Sequence, residues 1–182
     1  LPIWSGGDAS IKQKLRAVLS CGKPAVIDAD GLNNLDNELK KLLSLRHVLT
    51  PHPGEMARLT GKSIEDVLRD PAGFAENTAK AFGCIVLLKG AVSVAAHPDG
   101  RLRYNASGNP GLAKGGSGDV LTGIITALLA QGLEPFDAAS AGAYILGSSA
   151  ESALELLHER ALTAGDVLDA IEKTAGITEH RN

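Results

Sequence analysis

The chain has 182 residues, of which 44% are apolar and 21% are charged, and its formal net charge is −3. A chain of this length and apolar content can bury a core of its own, so residues 1–182 are predicted to form one domain. The charge gives no electrostatic reason to expect nucleic acid or an anionic membrane as partner, and no apolar run reaches the roughly 18 residues that a membrane span requires.

The sequence before residue 90 alternates between helical and strand patterns, which is typical of an α/β fold. Helical spacing of apolar residues predicts helices at 11–19, 35–45, 54–59, 63–69 and 72–82, and short apolar runs predict strands at 24–29, 47–50 and 84–88. Strands that are apolar throughout and separated by helices are typical of a buried parallel sheet. The predicted architecture is therefore a mostly parallel sheet flanked by helices.

The second half of the chain begins with a hairpin pattern and ends in helices. Strands are predicted at 92–96 and 102–104 around a Pro98-Asp99-Gly100 turn, followed by helices at 119–131, 136–158 and 163–173. Gly142 and Gly147 are expected to let the middle helix pack closely, and Thr163 with Asp166 resembles a capping box.

Only two cysteines, Cys21 and Cys84, occur in the sequence. Each lies in or beside an apolar segment, so both are predicted to be buried thiols in a reducing compartment. No basic-then-apolar signal segment opens the chain. We therefore expect a cytoplasmic protein.

Polar loops follow three of the predicted strands: 28–33, 51–55 and 89–90. The carboxyl ends of parallel strands lie along one edge of the sheet, where open α/β proteins bind their ligands, so these loops are expected to converge. Within the first loop, Asp28 and Asp30 are expected mainly to stabilise the turn by bonding to neighbouring backbone.

The most distinctive stretch is Asn105–Gly123, NASGNPGLAKGGSGDVLTG, in which Asp119 comes where the glycines give way to an apolar helical run. Glycines allow close backbone approach, and a helix start offers free N–H groups, so this stretch predicts an anion site, most often for phosphate. A carboxylate beside such a site suits a base in phosphoryl or acyl transfer, although Asp119 could also be a simple helix cap. Gly61-Lys62-Ser63 is not a P-loop, because Met56 replaces its first glycine.

Taken together, these motifs resemble the ADP/ATP-dependent NAD(P)H-hydrate dehydratase family of the ribokinase-like superfamily. The motifs that carry the resemblance are DADGLN at 28–33, LTPHPGEM at 49–56, LKG at 88–90, and GNPG with GSGD at 108–111 and 116–119. The resemblance implies a ribokinase-like fold and an enzyme that spends ADP or ATP to remove water from hydrated NADH or NADPH, NAD(P)HX. The route it implies is phosphorylation of the ring hydroxyl followed by elimination of phosphate.

The resemblance also implies roles for individual residues. Asp119 would be the catalytic base, and His52 and Asp119 would contact the hydrated nicotinamide. Glu55 would support Mg²⁺ through water, and Asn109 would orient the glycine-rich stretch or a phosphate. The nucleotide would be bound by Lys89, Gly90, Ala91, Val92, Ser93, Gly116, Ser117 and Gly118.

Other interpretations stay open on the sequence alone. His52 could be an exposed loop residue and Lys89 a solvated charge at a strand end. A small-molecule kinase of the same superfamily, acting on a hydroxymethylpyrimidine or thiazole alcohol, would use the same aspartate, although such kinases tend to have Asn where this chain has His52. An inactive nucleotide-binding module is the third reading.

Family members normally carry a further N-terminal segment, are often fused to an epimerase, and commonly form homotetramers. We therefore expect the chain to represent the C-terminal two-thirds of such a domain, incomplete at its N-terminus, and to form a homo-oligomer.

Overall fold

The computed structural model describes residues 8–154 and 161–174. Its helices are α1 (Asp8–Ser20), α2 (Asp30–Asn33), α3 (Asn37–Lys40), α4 (Pro53–Thr60), α5 (Ile64–Arg69), α6 (Pro71–Phe82), α7 (Ser117–Ala130), α8 (Pro135–Ala153) and α9 (Ala164–Thr174), with a short 3-10 helix at Pro110–Leu112. Its strands are β1 (Ala25–Ile27), β2 (His47–Leu49), β3 (Ile85–Leu88), β4 (Ser93–Ala96) and β5 (Leu102–Asn105). The predicted continuation of α8 to His158 lies outside the described residues.

The strands form a mixed sheet in the order β1-β2-β3-β4-β5. β1, β2 and β3 pair in parallel, with Val26 opposite Val48 and Val48 opposite Ile85, whereas β4 pairs antiparallel with both of its neighbours. β5 therefore points the same way as β1–β3, which confirms a mostly parallel sheet. Because of this direction, Asn105 delivers the glycine-rich stretch to the edge where β1–β3 also end.

The sheet separates two apolar layers because successive strand residues face opposite sides. Leu49, Val86 and Leu88 pack into the layer formed with α1–α6, whereas Val48 and Leu87 pack into the layer formed with α7–α9. All five side chains are almost fully buried. Burial of each is worth about 1.5–3 kcal/mol, so the sheet is a stable base for the loops at its edge.

The helix predicted at 35–45 is wrong in extent, because only α3, Asn37–Lys40, forms there. Asp36 accepts hydrogen bonds from the N–H groups of Glu38 and Leu39, so the helix starts later than the apolar pattern suggests. Beyond α3 the chain forms tight turns that lead into β2. The other predicted helices that fall on described residues are present, with ends shifted by a few positions.

Close packing between α7 and α8 depends on glycine, as the sequence predicted. A Cβ atom at Gly142 would lie 2.6 Å from Ile125 Cγ1, and one at Gly147 would lie 2.6 Å from the backbone oxygen of Ser107. The second distance shows that the start of the glycine-rich stretch lies directly against α8. The predicted box at α9 is also confirmed, since the Thr163 N–H donates to Asp166 and the Asp166 N–H donates back to the Thr163 hydroxyl.

The two cysteines differ in their surroundings. Cys84 is buried as predicted, and this burial raises the pKa of its thiol to about 12. Cys21 is exposed, because it lies in the turn after α1 rather than on its apolar face, so the prediction that it is buried is wrong. None of the helices at 8–154 and 161–174 is long and apolar enough to cross a membrane.

Candidate active site

The three strand-end loops are joined by backbone hydrogen bonds that continue the sheet past the ends of its strands. The Thr50 N–H donates to the Ile27 carbonyl at 3.1 Å, and the Lys89 N–H donates to the Pro51 carbonyl at 2.8 Å. Thr50 is fully buried. The loops after β1, β2 and β3 therefore form one continuous rim.

Lys89 lies at the centre of this rim between two carboxylates. Its ammonium group is 2.8 Å from Asp28 Oδ1 and 3.9 Å from Glu55 Oε2. The Lys89 side chain is 22% exposed, Asp28 14% and Glu55 7%, so the three charges are largely shielded from water. Such shielding strengthens their interaction relative to an exposed ion pair.

The structure corrects the expectation for Asp28. Its side chain does not bond to neighbouring backbone, because its two oxygens accept from Lys89 and, at 3.4 Å, from the Thr122 hydroxyl of α7. Asp28 thus links the end of β1 to the end of β3 and to the first turns of α7. Its place at a strand end was the only sequence signal for this role.

His52 and Glu55 close the start of α4 between them. His52 Nδ1 accepts from the N–H groups of Gly54 and Glu55 at 3.0 and 3.4 Å, and the Glu55 carboxylate accepts from the His52 N–H at 2.8 Å. This is a capping box with histidine in the position usually held by Ser or Thr. Because Nδ1 accepts, a neutral His52 carries its proton on Nε2, which lies 3.5 Å from Glu55 Oε1 in a side chain that is 52% exposed.

The start of α7, unlike that of α4, has no side-chain cap. Gly116 precedes the helix with a φ of 94°, a conformation that strongly favours glycine, and offers no side-chain cap. No described side chain accepts from the N–H groups of Ser117 or Gly118. These groups and the positive end of the helix dipole are therefore available to an anion.

The open start of α7 lies against the Lys89–Asp28 pair. A Cβ atom at Gly118 would be 3.3 Å from Asp28 Oδ2 and 3.8 Å from Lys89 Nζ. Asp119, in the same turn, is exposed, and its carboxylate makes no ion pair or hydrogen bond with another described side chain. One helical turn thus presents free N–H donors, a neighbouring ammonium group and an unengaged carboxylate.

Asn109 shapes the glycine-rich stretch before α7. Its side-chain oxygen accepts from the Gly111 N–H at 2.9 Å and so caps the short 3-10 helix, whereas its buried Nδ2 has no partner among the described residues. Farther along α8, Glu151 accepts from the Gly108 N–H at 2.7 Å. These contacts hold the stretch in place and leave both N–H groups of the Asn109 side-chain amide without a partner among the described residues.

Residues 90–93, predicted to contact nucleotide, form the turn between β3 and β4. The Gly90 N–H donates to the Ser93 hydroxyl at 3.4 Å, while Ala91 and Val92 are exposed. Ser93 also lines a groove of about 410 Å³ between β5 and α8. A second groove, of about 410 Å³, includes Glu55 and Arg58 on the α4 side.

The residues fit a magnesium ion that arrives with a nucleotide better than a resident metal. Among the described residues no group of three His, Cys, Asp or Glu side chains is placed to hold a metal ion. Glu55 is buried and already accepts from the His52 N–H, so its carboxylate is suited to contact through water. Mg²⁺ commonly keeps several waters and binds phosphates together with one or two carboxylates.

Comparison with known proteins identifies relatives of this chain. The profile of a family described as NAD(P)H-hydrate dehydratase matches residues 6–173. The chain is 48% identical over 148 residues to a bifunctional NAD(P)H-hydrate repair enzyme Nnr from Moorella thermoacetica, covering 80% of this chain and 28% of that protein. It is 43% identical over 153 residues to an ADP-dependent (S)-NAD(P)H-hydrate dehydratase from Neisseria meningitidis, covering 81% of this chain and 52% of that protein.

Solved structures give the same result for the fold. An ADP/ATP-dependent NAD(P)H-hydrate dehydratase from Bacillus subtilis, co-crystallized with ATP/Mg²⁺ and soaked with CoA, matches with a TM-score of 0.80 and 31% identity, covering 92% of this chain and 61% of that one. The ribokinase-like fold expected from the sequence is confirmed. The chain spans about half or less of the length of the two curated relatives described above.

Proposed function

The chain belongs to the NAD(P)H-hydrate dehydratase family, and we propose that it uses ADP or ATP to dehydrate NAD(P)HX to NADH or NADPH. The family match and the names of the relatives favour this reaction over the kinase alternative. In this proposal residues 1–182 belong to a single ribokinase-like domain, of which they form the C-terminal two-thirds.

The observation that carries the proposal is the open start of α7 beside Lys89, with Asp119 in the same helical turn. The N–H groups of Ser117 and Gly118 would bind the phosphoryl group, and Lys89 would bind neighbouring phosphate oxygens of the nucleotide. These donors are already in position before charge develops, which is the condition for electrostatic stabilisation of a transition state.

The chemistry begins with the hydroxyl group that hydration adds to the reduced nicotinamide ring. Asp119 takes the hydroxyl proton while the oxygen attacks the terminal phosphorus of the nucleotide, and the bond from that phosphorus to the bridging oxygen breaks. Hydroxide has now become phosphate, a better leaving group. The lone pair of the ring nitrogen then expels phosphate, with loss of a ring proton, and restores the reduced nicotinamide.

Residues of the strand-end rim would bind the nicotinamide substrate, the magnesium ion and the nucleotide. The half-exposed ring of His52 would contact the nicotinamide substrate, and Glu55 fixes His52 by accepting from its backbone N–H and by placing Oε1 3.5 Å from the ring Nε2. Glu55 would also hold, through water, a Mg²⁺ ion that neutralises the phosphate charge. The turn at 89–93 would contact the nucleotide, and Asn109 would orient the glycine-rich stretch with its free amide donor.

We infer that the enzyme acts in the cytoplasm, in keeping with the unbridged Cys21 and Cys84, and that it forms a homotetramer as the resemblance implies. Size-exclusion chromatography with light scattering tests the assembly, and a monomer at micromolar concentration would contradict it.

The proposed activity is tested by incubating the protein with NADHX or NADPHX, Mg²⁺ and either ADP or ATP. Recovery of absorbance from the reduced nicotinamide, with release of one phosphate per molecule, is the expected result. Release of nucleotide product without recovery of absorbance would favour a kinase. If neither occurs although calorimetry shows that nucleotide binds, the chain is an inactive binding module.

A further inference from the structure

The Asp28 side chain contacts residues well outside the turn in which the sequence places it. One carboxylate oxygen accepts from Lys89 at 2.8 Å, and the other accepts from the Thr122 hydroxyl at 3.4 Å. The second oxygen is also 3.3 Å from where a Cβ atom at Gly118 would lie. Two segments distant in sequence, the end of β3 and the first turns of α7, therefore meet on this one largely buried carboxylate.

The position of Lys89 depends on this carboxylate. A lysine side chain has four rotatable bonds, and its ammonium group can take many positions unless a partner fixes it. Here Asp28 holds the ammonium group at 2.8 Å, whereas the second carboxylate, Glu55, is 3.9 Å away and is engaged with the start of α4. Asp28 is thus the group that fixes Lys89 beside the first turn of α7.

The same carboxylate opposes the binding of an anion. A phosphate held by Gly118 and Lys89 would lie close to Asp28, and like charges repel most strongly where water is excluded. Asp28 therefore weakens binding through its charge while it improves the placement of Lys89. These two effects have opposite signs, and this makes them separable by experiment.

We propose that Asp28 is a positioning residue, which holds the Lys89 ammonium group against the open start of α7 so that both act on the same phosphate of the nucleotide. This inference rests on the proposed function. Thr122 supports Asp28 by holding its second oxygen. Asp28 itself does not touch the transferred group in this proposal.

The first test compares Asp28→Asn with Lys89→Met in turnover and in ADP binding by calorimetry. Asp28→Asn keeps the side-chain shape, so we expect kcat to fall at least about tenfold because Lys89 is no longer fixed. The Kd for ADP should fall severalfold, because a negative charge has been removed. Lys89→Met should instead raise the Kd about tenfold or more.

The second test is a double-mutant cycle. If Asp28 acts through Lys89, then Asp28→Asn should change kcat less than about twofold when Lys89→Met is already present. An equal loss in both backgrounds overturns the proposal, as does unchanged kcat in Asp28→Asn or a rise in its Kd that matches Lys89→Met. A merely structural role of Asp28 would lower the folded fraction without tightening ADP binding.

One control variant and one second test variant, at a different position, complete the comparison. Glu76→Gln removes a carboxylate from an ion pair with Lys80 on α6 and should change neither kcat nor Kd. Thr122→Val leaves the Asp28 charge in place, so it should lower kcat at unchanged Kd even if Asp28→Asn folds poorly. If the wild-type protein does not dehydrate NADHX, the proposed function fails, but the opposite shifts in ADP affinity still test how Asp28 and Lys89 interact.

Discussion

Two helices, α4 and α7, begin at the same edge of the sheet, and only the first of them has a side-chain cap. At α4, His52 and Glu55 accept from the free N–H groups, and each engages the other's backbone. At α7, Gly116 supplies no side chain, and the first N–H groups have no partner among the described residues. The first helix start is satisfied by its own chain, whereas the second is left for a ligand.

The two helix starts differ in stability before any ligand binds. A capped start is stable without a ligand, so α4 can hold His52 and Glu55 rigidly where the proposed function places the substrate. An uncapped start gives up that stability, and an anion that binds there recovers it. In the proposed function the capped helix therefore positions side chains, and the uncapped helix binds the negatively charged phosphate.

The largest expected effect comes from the uncapped side. Asp119→Asn removes the proposed base, and turnover should fall by about 10²–10⁴-fold, the range for loss of general base catalysis. Asp119 is exposed and makes no ion pair with another described residue, so melting temperature and ADP affinity should stay near those of the wild type. Steady-state kinetics, calorimetry and thermal melting measure the three quantities. Loss of ADP binding as well would mean that Asp119 shapes the loop rather than accepting the proton.

A smaller effect is expected when the open start is crowded. Gly118→Ala places a Cβ atom 3.3 Å from Asp28 Oδ2, so the Lys89–Asp28 pair must shift, and ADP should bind about tenfold more weakly. Gly115→Ala is a matched control, because a Cβ atom there has nothing within 4 Å. Calorimetry of both variants gives the comparison. Equal losses in the two would show that loop flexibility, rather than the space at Gly118, limits binding.

On the capped side, two substitutions of His52 separate capping from substrate contact. His52→Ala loses the cap and should lower the free energy of unfolding by about 1 kcal/mol, whereas His52→Asn keeps a side-chain acceptor and should be near wild type. Both remove the imidazole ring that is proposed to contact the substrate, so both should raise KM for NADHX. Chemical denaturation and steady-state kinetics measure these effects. Unchanged KM in the two variants would reduce His52 to a structural cap.

The smallest effect concerns the strand that leads into the capped helix. His47 in β2 is 2% exposed, and burial, with a smaller contribution from the Arg46 charge, lowers its pKa from the ordinary 6.5. Below about pH 6.5 the unfolded chain therefore binds a proton that folded His47 does not, and the stability present above that pH is progressively lost as pH falls.

The matched variant is His47→Gln, which lacks this titration. The wild type should have the higher free energy of unfolding at about pH 7.5, and its advantage over His47→Gln should become smaller as the pH is lowered to about 5.5. Denaturation at each pH measures this difference. A constant deficit would show that His47 titrates alike in the folded and unfolded chains.

The parts of the molecule that were predictable from sequence depend on local patterns. Continuous apolar runs predicted β1–β3, and the Pro98-Asp99-Gly100 turn predicted the β4–β5 hairpin. Convergence of the strand-end loops followed from parallel strand direction alone. The order of motifs along the chain was enough to indicate the family.

The parts that were not predictable depend on contacts distant in sequence or on competition between local signals. The link from Asp28 to Lys89 spans 61 residues, and that to Thr122 spans 94, so no local pattern indicates either. Histidine is an unusual N-cap, and the His52 capping box therefore lacked a sequence signature. At α3, an aspartate cap overrode an apolar spacing that suggested a longer helix.

The hydrogen bonds that continue the sheet beyond its strands have a consequence for exchange with solvent. Thr50 and Lys89 belong to loops by their place in the chain, yet the amide proton of each is donated to the carbonyl of a neighbouring strand or loop. Their deuterium uptake should therefore be as slow as that of the central strands, and should require the sheet itself to open. The rim that carries Asp28, His52 and Lys89 would then belong to the slowest-opening unit of the fold, so the proposed ligands would bind to a surface that is already ordered.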